Sequence, residues 1–265
     1  MFGFFKRRRR EQLKAQPFPT AWQDILLRRF PFYARLEADG REALEDLIQI
    51  FLGEKVFEGC GGLEITDEVR VLIAAQACFL LLNRDTDCYP KLKTVLVYPS
   101  AYFANAGGRH GDQEVQHEAQ GRLGESWDAG VVVLAWDATL AGAANVLDGR
   151  NLVYHEFAHQ LDQEDGIADG APTLKTANWQ ERRGRYLAWA QIMGEEYRGL
   201  QADIDKGRKT VIDEYGGSHP AEFFAVATEC FFEKPRQLRK NHPALYEELK
   251  KFYQQDPETY VKQGN

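Results

Sequence analysis

Long hydrophobic segments are scarce in this chain of 265 residues. The longest, residues 71–82 (VLIAAQACFLLL), spans twelve positions and contains Gln76. A helix that crosses a bilayer needs about 20 apolar residues, so this segment is too short to be a transmembrane helix. It predicts instead a buried helix, with Thr66 or Asp67 as its N-terminal cap.

Cysteine is also rare. Cys60, Cys78, Cys88 and Cys230 form no C-x-x-C pair and are too few to cross-link a chain of this size. A disulfide-stabilised secreted domain is therefore excluded, and a reducing, cytoplasmic location is expected. Residues 59–62 (GCGG) lack the glycine spacing and the following lysine of a phosphate-binding loop, so they predict a structural turn.

The balance of charge is negative outside one basic segment. Residues 6–10 (KRRRR) contribute +5 to a net charge of −7, which leaves −12 on the rest of the chain. A body this acidic argues against direct binding to nucleic acid. Residues 1–16 are predicted to be a disordered basic tail, whose aromatic tip (MFGFF) is suited at most to weak contact with an anionic membrane surface.

Hydrophobic periodicity predicts a helical lobe from about residue 17 to about residue 90. Within residues 41–51 the apolar side chains recur at intervals of three and four, as one face of a helix requires, and Gly53 is expected to end that helix. The next part of the chain, from about residue 91, contains segments rich in β-branched or alternating residues, which predict strands. These are residues 94–98 (TVLVY), 115–123 (VQHEAQGRL) and 131–136 (VVVLAW).

Helical patterns return after the strands. The helix around residues 154–162 is expected to be capped by Asn151 or Asp148 and to end at Gly166. Further helices are predicted over residues 174–206, over residues 221–232 after His219-Pro220, and from Asn241 onwards. The expected fold class is therefore α+β, with an N-terminal helical lobe, a small mixed sheet and C-terminal helices.

Residues 154–162 (YHEFAHQLD) place two histidines four positions apart. On an α-helix, His155 and His159 are separated by about 40° around the axis, so both imidazoles can reach one ion. Glu156 lies about 100° from His155, beside such an ion, where a carboxylate serves as general base towards water. The stretch therefore predicts a metal centre rather than a solvated polar face.

A catalytic zinc site usually has three protein ligands, so a third side chain is expected beside the two histidines. The candidates are Asp162, His219, Glu222 and Glu229. Glu222 is preferred because it falls in the first turn of an apolar helix, where an uncompensated carboxylate is costly. Glu229, seven residues further on nearly the same face, or Asp162 is then a candidate partner for a histidine N–H.

Two motifs, residues 155–166 (HEFAHQLDQEDG) and 213–232 (DEYGGSHPAEFFAVATECFF), together resemble the Mlc titration factor A family of bacterial zinc peptidases. The resemblance covers about residues 20–257, including Tyr98-Pro99 and residues 252–257 (FYQQDP), but not the basic tail. The catalytic core of that family is similar to that of anthrax lethal factor. The resemblance therefore implies a zincin-like metallopeptidase domain over residues 17–265, with an active-site helix.

The resemblance also implies the roles of individual residues. Zinc is the implied cofactor, with His155, His159 and Glu222 as ligands. Glu156 is implied as the general base, and Tyr215 as a hydroxyl near the ion that is suited to donate a hydrogen bond to the developing oxyanion.

The leading hypothesis is thus a zinc-dependent peptidase, and the resemblance implies aminopeptidase activity. A peptide or protein substrate is expected to lie extended along a strand edge, for which residues 120–127 (QGRLGESW) are the candidate. His110 and His117 are expected to be surface residues rather than ligands. The alternative is a regulatory protein that binds the transcriptional repressor Mlc and so affects glucose transport, with minor or latent peptidase activity.

Overall fold

The structure of the protein is a computed structural model, which describes residues 2–85, 87–100, 130–176 and 178–260. The chain divides into two compact units, Met1–Ala144 and Asn145–Asn265. The sequence predicts that the catalytic part begins near residue 91, and the described strands after that position pair within the first unit.

The first unit is rich in helix and contains one small sheet. Its described elements are α1 (Phe2–Lys14), α2 (Thr20–Arg29), α3 (Pro31–Arg35), α4 (Ala38–Glu54), β1 (Val56–Gly59), α5 (Asp67–Phe79), β2 (Thr94–Tyr98), β3 (Val131–Ala135) and α6 (Trp136–Ala144). Among the described residues, every helix is too short or too polar to span a bilayer.

Strands β1, β2 and β3 form a parallel sheet in that order. Thr94 of β2 pairs with Val56 of β1 on one side and with Val131 of β3 on the other. The predicted strand 94–98 is confirmed, and the strand predicted over 131–136 ends one residue earlier, because Trp136 begins α6. The three described strands are all parallel, whereas a mixed sheet was expected.

Strand β1 was not predicted, because its four residues (VFEG) are mostly exposed and too few to show an alternating pattern. It follows α4 after one residue and so connects the sheet to the helical lobe. Three predictions lie outside the described residues: the strand over 115–123, the substrate-binding edge over 120–127, and the surface positions of His110 and His117.

Helix α5 is the buried helix that the apolar run predicts. Thr66 is its N-cap, with its hydroxyl accepting a hydrogen bond from the Val69 amide at 3.4 Å. The helix ends at Phe79, earlier than expected, and turns follow. Phe79 packs against Phe30 and Phe32, with ring centroids 5.6 and 5.0 Å away, so α5 forms the core of the lobe with α2 and α3.

The N-terminal segment is a helix, which corrects the expectation of a disordered tail. The Arg10 guanidinium donates to both carboxylate oxygens of Glu54, at 2.6 and 2.7 Å, and to Asp87 at 2.8 Å. Leu13 lies against Gly53, where a Cβ atom would approach Leu13 Cδ1 to 2.7 Å. Gly53 therefore lies within α4 and gives α1 room to pack, rather than ending the helix as predicted.

The positive charge of α1 is thus paired in part with carboxylates of the first unit. Phe4 and Phe5 are nevertheless exposed, with 69% and 61% of their surface accessible. Weak contact between this helix and an anionic membrane surface stays a prediction.

The second unit consists of helices and short 3₁₀ turns. Its described elements are α7 (Leu152–Asp162), a 3₁₀ turn (Gln163–Asp165), α8 (Trp179–Asp205), a 3₁₀ turn (Glu214–Gly217), α9 (Pro220–Glu233), α10 (Pro235–Asn241), α11 (Pro243–Tyr253) and a 3₁₀ turn (Pro257–Thr259). Helix α8 begins later than residue 174 because Asn178 caps it, and the short helix α10 was not predicted.

Helix α9 is almost entirely buried and forms the centre of the second unit. On one side, Phe224 packs with Trp189 of α8 and Phe252 of α11, with ring centroids 5.8 and 5.6 Å away. On another, Phe232 packs against Tyr154 of α7 at 5.3 Å. This packing fixes α9 beside α7, the helix that carries the two histidines.

Candidate metal centre

Helix α7 has well-defined ends. Asn151, one of the two predicted caps, accepts a hydrogen bond from the Tyr154 amide on its side-chain oxygen at 3.0 Å. At the other end a 3₁₀ turn leads to Gly166, whose φ of 105° is a conformation that favours glycine. All eleven residues of α7 except Leu152 are buried, so His155, Glu156 and His159 are held away from bulk water.

Helix α9 begins with a histidine cap and a proline. His219 Nδ1 accepts a hydrogen bond from the Ala221 amide at 3.2 Å, and Pro220 occupies the first helical position. His219 was a candidate third ligand, and the structure places it at this cap. The same start places Glu222 in the first turn of α9.

Three atoms from the two helices converge on one point. Nε2 of His155 lies 3.0 Å from Oε2 of Glu222 and 3.2 Å from Nε2 of His159, and the third distance, from His159 Nε2 to the same Glu222 oxygen, is 3.3 Å. Two imidazole nitrogens and a carboxylate oxygen are a donor set typical of zinc. Zinc bonds of about 2.0–2.1 Å in a tetrahedron place neighbouring ligand atoms about 3.3 Å apart, so the three residues fit the ion.

The charges of the group also favour a cation. Burial lowers the pKa of His155, but hydrogen bonds with Glu222 and Glu229 outweigh it and hold that pKa well above its ordinary value. Burial likewise raises the pKa of Glu222, but its contacts with His155 and His159 hold it well below its ordinary value. In His159 the effect of burial prevails and lowers the pKa. The group therefore attracts a proton when no metal is bound, and a metal ion competes for the same position.

Glu229 holds the His155 ring from its other side. Its Oε1 lies 2.8 Å from Nδ1 of His155, and its Oε2 accepts a hydrogen bond from the Asn151 amide at 2.5 Å. Because a carboxylate accepts, Nδ1 of His155 donates to Glu229, and in the metal-free protein Nε2 donates to Glu222 in the same way. A metal ion replaces the proton on Nε2, while the bond to Glu229 keeps the proton on Nδ1. Glu229 occupies the place that the sequence analysis considered for a histidine partner.

The proposed base and the proposed hydroxyl lie beside the same group. Glu156 is fully buried on α7, and its charge acts on His155 and on Tyr215. Tyr215, in the 3₁₀ turn before α9, has its ring centroid 6.1 Å from that of His155 and forms a side-chain hydrogen bond with Glu222. Burial first, and then the charges of Glu222 and Glu156, raise the pKa of Tyr215, so its hydroxyl keeps its proton.

Asp162 is engaged elsewhere. Its Oδ2 accepts a hydrogen bond from the Gly170 amide at 2.8 Å, and burial raises the pKa of its carboxyl group to about 7. Gly170 has a φ of +79° and lies so close to α9 that a Cβ atom there would be 2.6 Å from the Pro220 carbonyl oxygen. Asp162 thus fixes the loop after α7 against the start of α9 and is not one of the three converging residues.

Sequence reasoning did not select Glu233, which is also buried beside α7. Its two carboxylate oxygens accept from the Arg150 amide at 3.0 Å and from the Asn151 side-chain amide at 3.1 Å. A signal was present in the sequence, because Glu222, Glu229 and Glu233 are spaced by seven and four residues. That spacing puts all three carboxylates within about 40° on one face of an otherwise apolar helix.

Comparison with known proteins places this geometry in context. A family model described as "Glucose-regulated metallo-peptidase M90" matches residues 4–254. The match begins at residue 4, before the basic run of residues 6–10, so the relationship extends further towards the N-terminus than the resemblance over residues 20–257.

Individual relatives align over most of their length. A protein of Synechocystis sp., described as uncharacterised, is 45% identical over 250 residues, which cover 94% of this chain and 89% of the relative. Mlc titration factor A of Klebsiella pneumoniae (strain 342) is 30% identical over 247 residues, covering 92% and 89%. Mlc titration factor A of Serratia proteamaculans is 29% identical over 239 residues, covering 89% and 87%.

Proposed function

The chain belongs to the glucose-regulated metallopeptidase family M90, and from this premise we propose that it is a zinc-dependent peptidase with His155, His159 and Glu222 as the metal ligands. The observation that carries the proposal is the set of three mutual distances, 3.0, 3.2 and 3.3 Å, between ligand atoms on two helices. Zinc is the proposed ion because two histidines and one glutamate, with a position left for water, form a typical catalytic zinc site.

A zinc ion held by these side chains supplies Lewis-acid chemistry, which lowers the pKa of a water molecule to about 7 and polarises a peptide carbonyl. The protein contributes the position and the surroundings. The ligands are largely buried, with His155 and His159 at 5% and 0% side-chain exposure and Glu222 at 14%. Charges interact more strongly in such surroundings than in water.

Glu156 is the proposed general base. It follows His155 directly on α7, and its charge acts on both His155 and Tyr215, which supports this role. It accepts a proton from the attacking water and later returns it to the amine of the leaving peptide. The carboxylate of Glu156 can perform both proton transfers from the same position.

Tyr215 is the proposed oxyanion donor. A raised pKa keeps its hydroxyl protonated at neutral pH, which a hydrogen-bond donor requires. Its hydrogen bond with Glu222 supports this role, because an oxyanion donor has to lie beside the metal, where the carbonyl oxygen becomes negative during attack by water.

Aminopeptidase action and a zincin-like fold are the finer parts of the proposal, and the family resemblance supports them. Cleavage of matched peptides with free and acetylated N-termini separates aminopeptidase from endopeptidase action, because an aminopeptidase needs the free amine. The proposal as a whole is tested by a peptide-library cleavage profile, measured with a chelator and again after zinc is added back. Metal-dependent cleavage supports it, and cleavage that the chelator leaves unchanged contradicts it.

A second candidate function is binding of the repressor Mlc. It is favoured by relatives that carry the name Mlc titration factor A and align over 87–89% of their own length. The two functions are compatible, since a site that binds a substrate peptide can also bind a segment of a repressor. A variant without the base, Glu156→Gln, separates them, because it should bind Mlc as tightly as the wild type while cleaving no peptide.

A further inference from the structure

The N-terminus of α7 and the C-terminal half of α9 are joined by hydrogen bonds that centre on Asn151, the N-cap of α7. The backbone amide of Asn151 donates to Glu229 at 2.5 Å, and its side-chain amide donates to Glu233 at 3.1 Å. Its side-chain oxygen accepts from the Tyr154 amide at 3.0 Å, and its carbonyl oxygen accepts from the His155 amide at 2.9 Å. One residue therefore connects two glutamates of α9 to the turn that carries His155.

The position of Glu233 suits the start of a helix. The donors around a helix start need acceptors, and both oxygens of a carboxyl group can accept a hydrogen bond. Glu233 accepts from the Arg150 amide at 3.0 Å as well as from Asn151, and only 1% of its surface is exposed. Burial of a polar group costs free energy unless the group is hydrogen-bonded. The two donors offset that cost for Glu233, so its carboxyl group is held in one position against the start of α7.

Burial raises the pKa of Glu233 to about 9, and the neighbouring charges of Glu229 and Asp148 act in the same direction. The side chain is therefore a neutral acid at neutral pH. This explains how two glutamates, four residues apart on α9, lie together in the interior without strong repulsion. Glu229 then orients the ring of His155, and Glu233 orients the side chain of Asn151.

We propose that Glu233 is a positioning residue of the metal centre, which acts through Asn151 to hold the first turn of α7 and so keeps Nε2 of His155 directed at the metal position. Glu233 itself contacts no ligand atom. It fixes Asn151, Asn151 fixes the His155 backbone, and Glu229 fixes the His155 ring. Partners of metal ligands typically change metal affinity about 10- to 100-fold when they are removed.

The inference rests on the metal centre proposed above, and its test uses zinc affinity rather than activity. Zinc is titrated into metal-free protein against a chromophoric chelator of known affinity. Glu233→Ala should bind zinc about 10- to 100-fold more weakly than the wild type, because it releases Asn151. Glu233→Gln keeps the shape and one acceptor oxygen, so it should recover much of the lost affinity.

Glu248 provides a matched control. It is a buried glutamate of the same unit, also 1% exposed, and it pairs with Arg185 at 3.0 Å on α8, away from α7. Glu248→Ala should lower the stability of the metal-free protein yet leave zinc affinity within about twofold of the wild type. If Glu248→Ala weakens zinc binding as much as Glu233→Ala does, the effect is general destabilisation and the inference is wrong.

A second variant covers the case in which Glu233→Ala does not fold. Asn151→Asp keeps a strong helix cap but replaces the N–H donor to Glu233 with a carboxylate oxygen. It should also weaken zinc binding about tenfold or more. Zinc affinity equal to that of the wild type, in a folded Asn151→Asp or Glu233→Ala protein, overturns the inference.

Hydrogen exchange separates this inference from the proposed function. The Tyr154 amide reports on the Asn151 side chain, to which it donates. In metal-free Glu233→Ala its exchange should be about tenfold faster than in the wild type, and unchanged in Glu248→Ala. If the wild type binds no zinc, the proposed function is wrong, but the exchange rate still tests whether Glu233 holds Asn151. If zinc binds and exchange at Tyr154 is unchanged in Glu233→Ala, only the role of Glu233 is wrong.

Discussion

His155 and Glu222 meet across two helices. Nε2 of His155 on α7 lies 3.0 Å from Oε2 of Glu222 on α9, although 67 positions separate the two residues in the chain. In the proposed centre, helix α7 contributes His155, His159 and the base Glu156, and the third converging residue comes from α9. The metal centre therefore depends on how α9 packs against α7, and Glu222 is the residue whose loss tests that dependence.

Glu222→Ala should lose zinc, whereas Asp162→Ala should retain it. Removal of a residue that bonds to a metal ligand typically lowers metal affinity about 10- to 100-fold, so removal of a ligand itself should lower zinc affinity more than about 100-fold. Asp162 bonds to the Gly170 amide instead, so its loss should leave affinity close to that of the wild type. Zinc per chain after dialysis, measured by elemental analysis, checks both. Metal loss only in Asp162→Ala would move the third ligand to Asp162.

Glu156→Gln should keep zinc and lose peptide hydrolysis. The amide has nearly the same shape as the carboxylate but accepts no proton, so the turnover number should fall about 10²- to 10⁴-fold. The measurement is the cleavage rate of a fluorogenic peptide, with zinc content determined on the same preparation. Undiminished cleavage by a pure, zinc-loaded variant would show that another group is the base.

Tyr215→Phe should lower the turnover number about 10²- to 10³-fold with little change in KM, because the hydroxyl acts on the oxyanion and not on the bound substrate. Zinc content should equal that of the wild type. Tyr246→Phe is the control, since Tyr246 of α11 is a buried tyrosine whose hydroxyl bonds to Asp256 and not to any of the three converging residues. Equal activity in the two variants would assign Tyr215 a packing role.

Arg10→Gln should lower the free energy of unfolding by about 1–2 kcal/mol, since the pair with Glu54 is largely buried, with 15% and 13% side-chain exposure. Arg8→Gln is the control. Arg8 is exposed and makes no ion pair in the described part of the chain, so its loss should cost less than about 0.5 kcal/mol. Urea denaturation measures both. Equal stability of Arg10→Gln and wild type would support a disordered N-terminal segment.

Asp162→Asn should change how stability depends on pH. The Asp162 pKa is about 7 in the folded protein against an ordinary value of 3.8, mainly because of burial. Between about pH 4 and pH 7 the folded state holds a proton that the unfolded state has released, so this contribution to wild-type stability falls as pH rises.

Asparagine does not titrate, so the free energy of unfolding of Asp162→Asn should rise relative to that of the wild type across the same window. The difference should be constant above and below it. Denaturation of the metal-free proteins at several pH values measures this difference. A difference that is the same at all pH values would mean that Asp162 has an ordinary pKa.

The site was more predictable from the sequence than the fold around it. The spacing of His155 and His159 is a local property of one helix, and the caps at Asn151 and His219 follow from residues beside each helix. The contact of α9 with α7 is not local, and Glu222 was preferred only through the cost of burying a carboxylate. Glu233 was missed although it shares a helix face with Glu222 and Glu229, because its partners, Arg150 and Asn151, are recognisable only after the two helices are packed.

The structure of the N-terminal segment could not be predicted from its own sequence. A run of five basic residues predicts repulsion and disorder when it is considered alone. In the folded unit, Glu54 and Asp87 supply the opposite charges, and Gly53 leaves room for Leu13. Neither Asp87 nor Gly53 is close to α1 in sequence, so no local pattern could reveal that α1 packs against other parts of the first unit.

The central claim is that one zinc ion lies between α7 and α9. The most direct measurement is an anomalous difference map, collected at the zinc absorption edge from a crystal of protein purified without added metal. We expect one strong peak within about 2.0–2.1 Å of Nε2 of His155, Nε2 of His159 and a carboxylate oxygen of Glu222. A map without a peak there, even after zinc is soaked in, or a peak bound to Asp162 instead of Glu222, would contradict it.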